Sequence, residues 1–364
     1  MSTETIEFDK DHSYEEKMAL KHKNNSASDY AVMLCIFTKC RMVLQLDQKM
    51  DYLKEHNVPQ SYRDQILKWN GWGYVDSYFK LNSEGHVVMT GNNKKLTDVE
   101  IPPPVENDEI HDELKNANIS FSNAPRIRLM RAHGHTVHDM IHLRSGHLPR
   151  LPDLVVWPRS EHDIIDLAMS TNCAIIPIGG GTSVSSALDC PSTEKRAVIS
   201  MDMALMDKIL WIDKENLTCR AQAGIVGQSL ERQLNAKGYT CGHEPDSMEF
   251  STLGGWVSTR ASGMKKNRYG NIEDLVVHIN FATAKGMIHK QCQVPRMSSG
   301  PDLHHIIMGS EGTLGVVTEV TIKIFPLPEV KRYGSLVFPD FAHGVAFFRE
   351  VARQVTEIPV RGSH

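Results

Sequence analysis

The chain has 364 residues, a formal net charge of −4 and 41% hydrophobic residues. Acidic and basic residues alternate along it, which argues against a protein that binds nucleic acid through a basic surface. Its seven cysteines form no Cys-x-x-Cys pair, so the sequence predicts no disulfide framework and indicates a reducing compartment.

The N-terminal part, residues 1–144, is predicted to be a mainly helical region followed by a connecting arm. Its polar, acidic start is not a secretory signal, and the apolar run over residues 31–37 is too short for a bilayer, which needs about 20 residues. We interpret this run as the buried face of a helix, with contact to a membrane surface as the alternative. Another helix is predicted over residues 62–79 and a hairpin over 80–90, before a stop at three prolines, residues 102–104.

The connecting arm is rich in histidine and arginine. His138 and His142 are four residues apart and would share one face of a helix, a spacing that allows metal binding. No glutamate or cysteine stands at ligand spacing, and arginines crowd the same stretch. We therefore predict a basic connecting arm rather than a metal site. The histidines of this stretch are His133, His135, His138, His142 and His147.

From residue 145 onward strands and helices alternate, which predicts an α+β domain over residues 145–327. A strand at 154–158, a helix at 161–172 with Ser160 as N-cap, and a strand at 174–178 form a βαβ unit. Further strands are predicted at 197–201, 209–212, 217–223, 275–283, 287–291 and 316–325, with a helix at 227–237. Residues 328–364, with a strand at 333–338 and a helix at 341–354, are predicted to begin another domain.

A glycine-rich turn follows the strand at 174–178. The apolar run stops at Gly179, Gly180 and Gly181, where the backbone can approach a ligand closely. Successive N–H groups in such a turn form an anion-binding concavity, and Thr182 and Ser183 add hydroxyl groups. No further glycine completes a Rossmann fingerprint, and no Gly-Lys-Ser/Thr follows as in a P-loop. Neither of these two phosphate-binding loops is therefore present. A simple structural turn is the alternative interpretation.

Other loops have a similar composition. Residues 242–252 are polar and irregular, and residues 309–315 form a second glycine-rich turn before a strand. Gly254 and Gly255 precede a run of apolar and small residues, which predicts a helix whose N-terminal amides face an anion. These loops of Gly, Ser and Thr are expected to converge on one phosphate-bearing ligand.

Four segments, residues 177–183, 246–252, 259–262 and 311–317, resemble the FAD-binding domain of the vanillyl-alcohol oxidase and p-cresol methylhydroxylase superfamily. Residues 69–74, 131–135 and 242–278 resemble the alkyldihydroxyacetonephosphate synthase family, the flavoenzymes of ether-lipid synthesis. The resemblance implies an α+β fold, with a two-part FAD-binding domain of the p-cresol methylhydroxylase type. It also implies an N-terminal helical region before this domain and the beginning of a cap domain after it.

The resemblance further implies a noncovalent FAD whose pyrophosphate lies against the turn at 179–183 and the region of Gly254 and Gly255. It assigns no metal ligand, and no catalytic residue can be named. The cofactor-binding residues that it implies are Pro177, Ile178, Gly179, Gly180, Gly181, Thr182, Ser183, Asp246, Ser247, Met248, Glu249, Phe250, Ser251, Thr252, Thr259, Arg260, Ala261, Ser262, Glu311, Gly312, Thr313, Leu314, Gly315, Val316 and Val317.

The reaction implied by the resemblance replaces the acyl group of acyl-dihydroxyacetone phosphate by a long-chain fatty alcohol. The flavin N5 holds the dihydroxyacetone phosphate carbon during the exchange, and there is no net redox change. The family also implies a peroxisomal homodimer with peripheral membrane contact, although neither terminus shows an import signal. Most of the family's cap domain is not found here, so a truncated non-catalytic flavin-binding or interfering isoform is one alternative. An FAD-dependent oxidase is another.

Some residues keep two interpretations. Arg260 would either face the ligand or form a salt bridge within the fold. His243, Glu244 and Asp246 could be surface polar groups if the resemblance is set aside. The pair His304 and His305 is predicted to pack rather than to catalyse, and Lys265 and Lys266 are predicted to form a solvated face.

Overall fold

The computed structural model describes residues 99–357 apart from positions 147, 171, 332 and 333, together with residues 59, 68, 69 and 71–73. The chain divides into two compact units. The larger contains residues 45–331 and 348–364, and the smaller includes the described residues 334–347. Apart from positions 68, 69 and 71–73, the helices and the hairpin predicted before residue 91 lie outside the described residues.

Helices and strands of the larger unit are numbered here in chain order. The helices are α1 (Asp108–Asn116), α2 (Pro125–Leu129), α3 (Val137–Ser145), α4 (Glu161–Ser170), α5 (Gly227–Asn235), α6 (Leu253–Ser258), α7 (Lys266–Tyr269), α8 (Ile272–Leu275) and α9 (His304–Ile307). The strands are β1 (Ser120–Ser122), β2 (Leu154–Trp157), β3 (Ala174–Ile178), β4 (Val198–Asp202), β5 (Ile209–Asp213), β6 (Thr218–Gln222), β7 (Tyr239–Thr240), β8 (Val276–Thr283), β9 (Gly286–Ile288), β10 (Val316–Lys323) and β11 (Phe325–Pro326).

The first sheet has the strand order β1-β2-β4-β3. β4 pairs in parallel with both β2 and β3, whereas β1 pairs antiparallel with β2. Every residue of β2 and β4 is buried, which explains their apolar sequences, because parallel strands are covered on both faces. α4 connects β2 to β3, as the predicted βαβ unit requires, with β4 inserted between the two strands.

The second sheet is antiparallel, with the order β5-β6-β10-β8-β9. β10 lies at its centre between β6 and β8, and its residues Val320 and Ile322 are buried. Both sheets contribute to one hydrophobic core, in which Met201 of β4 and Ile279 of β8 belong to the same cluster as Trp256 of α6. The two sheets and the helices packed on them therefore fold as one body.

The predicted α+β class is confirmed; β3 has the predicted bounds, and β2 ends at Trp157, one residue before the predicted end. Ser160 caps α4 as predicted, because its Oγ accepts a hydrogen bond of 3.2 Å from the backbone N of Asp163. The helix predicted after residue 253 ends at Ser258, since Arg260 adopts a left-handed backbone with φ of 51° that a helix cannot include.

The segment before residue 145 contributes to the same body. Strand β1 extends the first sheet, and Ile110 and Leu114 of α1 join the core. Arg128 and Arg131 are buried, so these two arginines of the connecting arm belong to the interior. Arg128 Nε donates to the carbonyl O of Pro152 at 2.7 Å and its Nη1 donates to Pro102 O at 2.9 Å, so backbone carbonyls accept from this buried guanidinium. The predicted domain boundary at residue 145 stays a prediction.

In the smaller unit, residues 334–338 form no strand, so the strand predicted over 333–338 is wrong for its described part. Among the described residues, no strand pairs with this segment, and an unpaired extended segment is not a strand. The final helix, α10 (Phe341–Glu357), begins where predicted and is three residues longer. Of the helices in the described ranges, none is both long and apolar enough to span a bilayer.

Candidate functional site

A cavity of about 330 Å³ lies beyond the carboxyl end of β3. Its walls come from the glycine turn after β3, the loop before α6, α6 itself and the loop before β10. Of the predicted site residues, the cavity is lined by Pro177, Ile178, Gly179, Gly180, Gly181, Thr182, Ser183, Ser247, Ser251, Thr252, Thr259, Ala261, Glu311, Gly312, Gly315, Val316 and Val317. The structure thus brings all four predicted segments together.

The glycine turn lies directly against the loop before α6. A Cβ atom at Gly179 would lie 2.2 Å from Thr252 Oγ1, and one at Gly180 would lie 2.2 Å from the carbonyl O of Phe250. Gly181 has a φ of 68°, which side chains other than glycine rarely adopt. These glycines are therefore required where two loops touch and where the backbone turns.

Neutral groups dominate the polar surface of the cavity. In the described structure, the backbone N–H groups of residues 180–183 donate to no protein acceptor, while Thr182 and Ser183 bring hydroxyl groups to the same wall. Glu311 is the one charged residue among the described lining residues, and its Oε1 accepts a hydrogen bond of 2.9 Å from Ser185 Oγ. An anionic ligand would thus be held by amides and hydroxyls rather than by lysine or arginine.

The N-terminus of α6 differs from the prediction. The backbone N–H of Leu253 donates to Ile225 O and that of Gly254 to Ala223 O. The N–H of Gly255 donates to the Oγ1 of Thr252, which is the N-cap. Because protein acceptors occupy these amides, the prediction that they face an anion is wrong. Gly254 and Gly255 line the cavity without offering free donors.

Several predicted residues lie outside the lining. Phe250 is buried, and its ring packs edge-on against Trp72 at a centroid distance of 5.0 Å. Arg260 points its guanidinium to Glu273, with Nε 3.5 Å from Oε1, so the salt-bridge interpretation describes its contact. Their role in cofactor binding stays a prediction, as it does for the remaining residues outside the lining: Asp246, Met248, Glu249, Ser262, Thr313 and Leu314.

The sequence did not indicate every lining residue. Met203 follows β4 directly, and since the carboxyl ends of parallel strands meet at one edge, this position could have been found from the βαβ pattern. Ser185 is two residues beyond the predicted turn. Ala223 lies after β6, in the other sheet, and carried no local signal. The further lining residues not predicted as site residues are Val184, Ala187, Leu188, Pro245, Gly254, Gly255, Trp256 and Ser258.

Behind the cavity wall lies a buried imidazole. His243 is 1% exposed, and its ring packs against Trp256 at a centroid distance of 4.9 Å. Burial lowers the pKa of His243 to about 4, so the ring is neutral at physiological pH. The alternative interpretation of His243 as a surface group is therefore wrong. Glu244 is half-buried in an ion pair with Lys265, and Asp246 is exposed.

The histidines of the connecting segment form no metal centre in the described part of the chain, where no three His, Cys, Asp or Glu side chains converge. His135 instead contacts the glycine turn: its ring Nδ1 lies 2.8 Å from Gly181 O. The backbone N of His135 also donates to Ser183 O at 2.7 Å. The segment at 131–135 therefore packs against the glycine turn, on the side away from the cavity.

Known proteins share this sequence and fold. Residues 152–291 match the family described as the FAD binding domain. The chain is 70% identical to the alkyldihydroxyacetonephosphate synthase of Caenorhabditis elegans, over 82% of this chain and 56% of the relative. It is 33% identical to that of Dictyostelium discoideum, over 84% of this chain and 55% of the relative. A solved structure of an alkyldihydroxyacetonephosphate synthase matches with a TM-score of 0.71 and 31% identity, covering 81% of this chain and 59% of that one.

The chain therefore spans a little over half the length of the curated relatives that it matches. Its residues 152–291 are an FAD-binding domain, and the prediction of FAD as the cofactor is confirmed. The turn at 179–183 suits such a ligand, because its glycines leave no side chain in the way and its amides are available to a phosphate.

Proposed function

Because the chain belongs to the p-cresol methylhydroxylase type of FAD-binding proteins, we propose that it acts in ether-lipid synthesis as an alkyldihydroxyacetonephosphate synthase. The substrates are acyl-dihydroxyacetone phosphate and a long-chain fatty alcohol. The alcohol replaces the acyl group, which leaves as a free fatty acid, and substrate and product have the same oxidation state. Bound FAD supplies the reactive ring on which this exchange depends.

One observation carries the cofactor part of the proposal: the four segments that resemble the FAD-binding domain surround a single cavity. Four segments spread over more than a hundred residues of sequence would not meet by chance around free backbone amides. The 70% identity to the Caenorhabditis elegans synthase supports the reaction class. We also propose, as the family resemblance implies, a peroxisomal location and a homodimer in peripheral contact with a membrane.

In this proposal the chain's own residues bind and orient the cofactor. The amides of residues 180–183, with the hydroxyls of Thr182 and Ser183, hold the pyrophosphate. The hydroxyls of Ser247 and Ser258 and the apolar groups of Val316 and Val317 form the walls that keep water away from the rest of FAD. No described residue is assigned to proton transfer.

The first experiment tests cofactor binding. The purified chain is incubated with FAD, the excess is removed by gel filtration, and the absorbance spectrum of the retained flavin is recorded. We expect one FAD per chain that acid releases, which would show noncovalent binding. A chain that is folded by circular dichroism yet retains no flavin would contradict the proposal.

The second experiment distinguishes the synthase from an FAD-dependent oxidase. The FAD-loaded chain is given acyl-dihydroxyacetone phosphate and a radiolabelled fatty alcohol, and lipid products and oxygen uptake are followed together. A synthase forms labelled ether lipid and free fatty acid in equal amounts without consuming oxygen. Oxygen consumption without ether formation would favour the oxidase.

A further inference from the structure

Two hydrogen bonds attach the segment before α3 to the glycine turn. The backbone N–H of His135 donates to Ser183 O at 2.7 Å. The ring Nδ1 of His135 lies 2.8 Å from Gly181 O, and because a carbonyl oxygen only accepts, Nδ1 carries the proton. His135 therefore forms hydrogen bonds with two carbonyl groups of the turn, those of Gly181 and Ser183. This is the turn that is proposed to bind the pyrophosphate.

These bonds determine where the next amides point. The peptide bonds of the turn are trans, as is every peptide bond in the described ranges, so each C=O in the turn is antiparallel to the N–H of the following residue. Fixing Gly181 O and Ser183 O toward His135 directs the N–H groups of Thr182 and Val184 to the opposite side. Thr182 and Val184 both line the cavity.

The segment is itself held in place. Gly134 lies so close to the turn that a Cβ atom there would be 2.3 Å from Ser183 O. The indole ring of Trp72 packs edge-on against the imidazole of His135 at a centroid distance of 4.7 Å. At the start of the segment, the buried Arg131 guanidinium donates twice to Asp202 Oδ2, at 3.1 and 2.9 Å, which attaches it to the end of β4.

We propose that His135 is a positioning residue that aims the amides of Thr182 and Val184 at the FAD pyrophosphate. This inference rests on the proposed function, because it assumes that the turn binds that group. His135 does not line the cavity, so it acts through the turn rather than by touching the cofactor. Its donor Nδ1–H is the group that matters, and an asparagine amide can occupy the same position.

The test compares the FAD affinity of His135→Leu and His135→Asn, by titration of flavin fluorescence. Leu removes the donor, and we expect its Kd to rise about tenfold, the effect of one hydrogen bond. Asn restores the donor, and its Kd should stay within about threefold of the wild-type value. His138→Leu, at an exposed position on α3, is the matched control and should bind as the wild type does.

Measuring ADP binding distinguishes a defect in positioning the pyrophosphate from a general loss of structure. ADP has the two phosphates but no flavin ring. His135→Leu should therefore weaken the binding of ADP and of FAD by the same factor, while the melting temperature of the free chain changes little. Should the Leu variant fold poorly, Asn is compared with His135→Asp, which has the same size but cannot donate when ionised. Asp is then expected to bind FAD about tenfold more weakly than Asn.

The outcomes are distinct. A wild-type chain that binds FAD while His135→Leu or His135→Asp binds it equally well overturns the inference and leaves the proposed function standing. A variant that loses FAD but keeps its affinity for ADP also overturns it, because the defect then lies away from the phosphates. A folded wild-type chain that binds neither ligand overturns the inference and the proposed function together.

Discussion

Single residues limit how closely the loops around the cavity can approach each other, and Gly180 is a position where this limit can be tested. A Cβ atom there would lie 2.2 Å from Phe250 O and 2.9 Å from Ser251 Cα. Both neighbours are backbone atoms, so no side-chain rotation can make room and the loops must separate.

We therefore expect Gly180→Ala to lower the free energy of unfolding by about 1–3 kcal/mol, the usual cost of overpacking. It should also weaken FAD binding by at least about tenfold, since the turn shifts. Urea denaturation and an FAD titration measure the two effects. Gly334→Ala, where a Cβ would have no heavy atom within 4 Å, is the control. An unchanged Kd in Gly180→Ala would show that the turn does not contact the cofactor.

His304 gives the stability of the fold a dependence on pH. Burial lowers its pKa to about 4, with Lys290 as a smaller cause. Its Nε2 accepts a hydrogen bond of 3.2 Å from the backbone N of Ile279, which only the unprotonated nitrogen can do. This contact supports the predicted packing role of His304.

An unfolded histidine has a pKa of about 6.5, so below that value the unfolded chain binds more protons at His304 than the folded chain does. The stability contribution is complete above about pH 6.5 and is lost as the pH falls toward 4. The amide oxygen of Gln in His304→Gln can still accept from Ile279. The slope of the unfolding free energy against pH should decrease, because the unfolded chain then binds up to about one proton fewer in excess of the folded chain. Urea unfolding at closely spaced pH values tests this; an unchanged slope would contradict it. Some slope should remain, because burial also lowers the pKa of His243.

At the scale of secondary-structure elements, one carboxylate connects α4 to the second sheet. Glu161, the first residue of α4, accepts from Asn280 Nδ2 of β8 at 2.8 Å and from the Thr318 hydroxyl of β10. Asn280 Oδ1 in turn lies 3.1 Å from His278 Nε2. The helix that crosses over the first sheet is thereby attached to two central strands of the other.

We expect Glu161→Ala to destabilise the chain by about 1–3 kcal/mol, because it leaves the amide of Asn280 without its acceptor and the hydroxyl of Thr318 with only the longer contact of 3.3 Å to Asn280 O. Glu161→Gln keeps one acceptor oxygen and should cost less. Asp166→Ala on the same helix, which removes an exposed partner of His162, is the control and should change stability by less than about 1 kcal/mol. Equal stabilities of Glu161→Ala and the control, in urea, would rule out this connection.

The sequence predicts elements whose signals are local and fails where the signal is long-range. β3 is a short apolar run bounded by glycines, so its limits could be read directly, and the prediction for β2 differs only by Pro158 at its end. The insertion of β4 between them depends on pairing with both neighbours, which no local pattern encodes. α6 shows the same limit, because its amides are occupied by carbonyl groups of residues 223 and 225, which are distant in the sequence.

The candidate site divides in the same way. The turn at 179–183 was predicted from its composition, and the family resemblance added the three other segments. His135 was not recognised as a site residue, because a histidine among arginines has no signature for supporting a turn that begins more than forty residues later. Ala223 has no polar group and lines the cavity only because β6 ends beside α6.

For the molecule as a whole, a ligand that binds only the folded state raises its stability. At an FAD concentration one hundred times Kd, the gain is about 2.7 kcal/mol, which corresponds to roughly 3–5 °C in melting temperature for a chain of this length. Thermal denaturation at increasing FAD concentrations measures this shift. Riboflavin, which lacks the pyrophosphate, is the control and should give a much smaller shift. Equal shifts with both would mean that the turn at 179–183 does not hold the phosphates.

The central place of β10 in the second sheet also has a consequence for synthesis. When β9 has been made, the strands already available form two separate pairs, β5 with β6 and β8 with β9, and nothing joins them until residues 316–323 emerge. A ribosome adds roughly 5–20 residues per second, so both pairs expose open edges for seconds, a hazard for aggregation. Our hypothesis is that nascent chains halted before residue 316 are protease-sensitive, whereas those halted far enough beyond 323 for β10 to clear the exit tunnel resist digestion. Resistance of both to digestion would show that the strand pairs are protected before β10 arrives, and rapid digestion of both would show that β10 does not protect them.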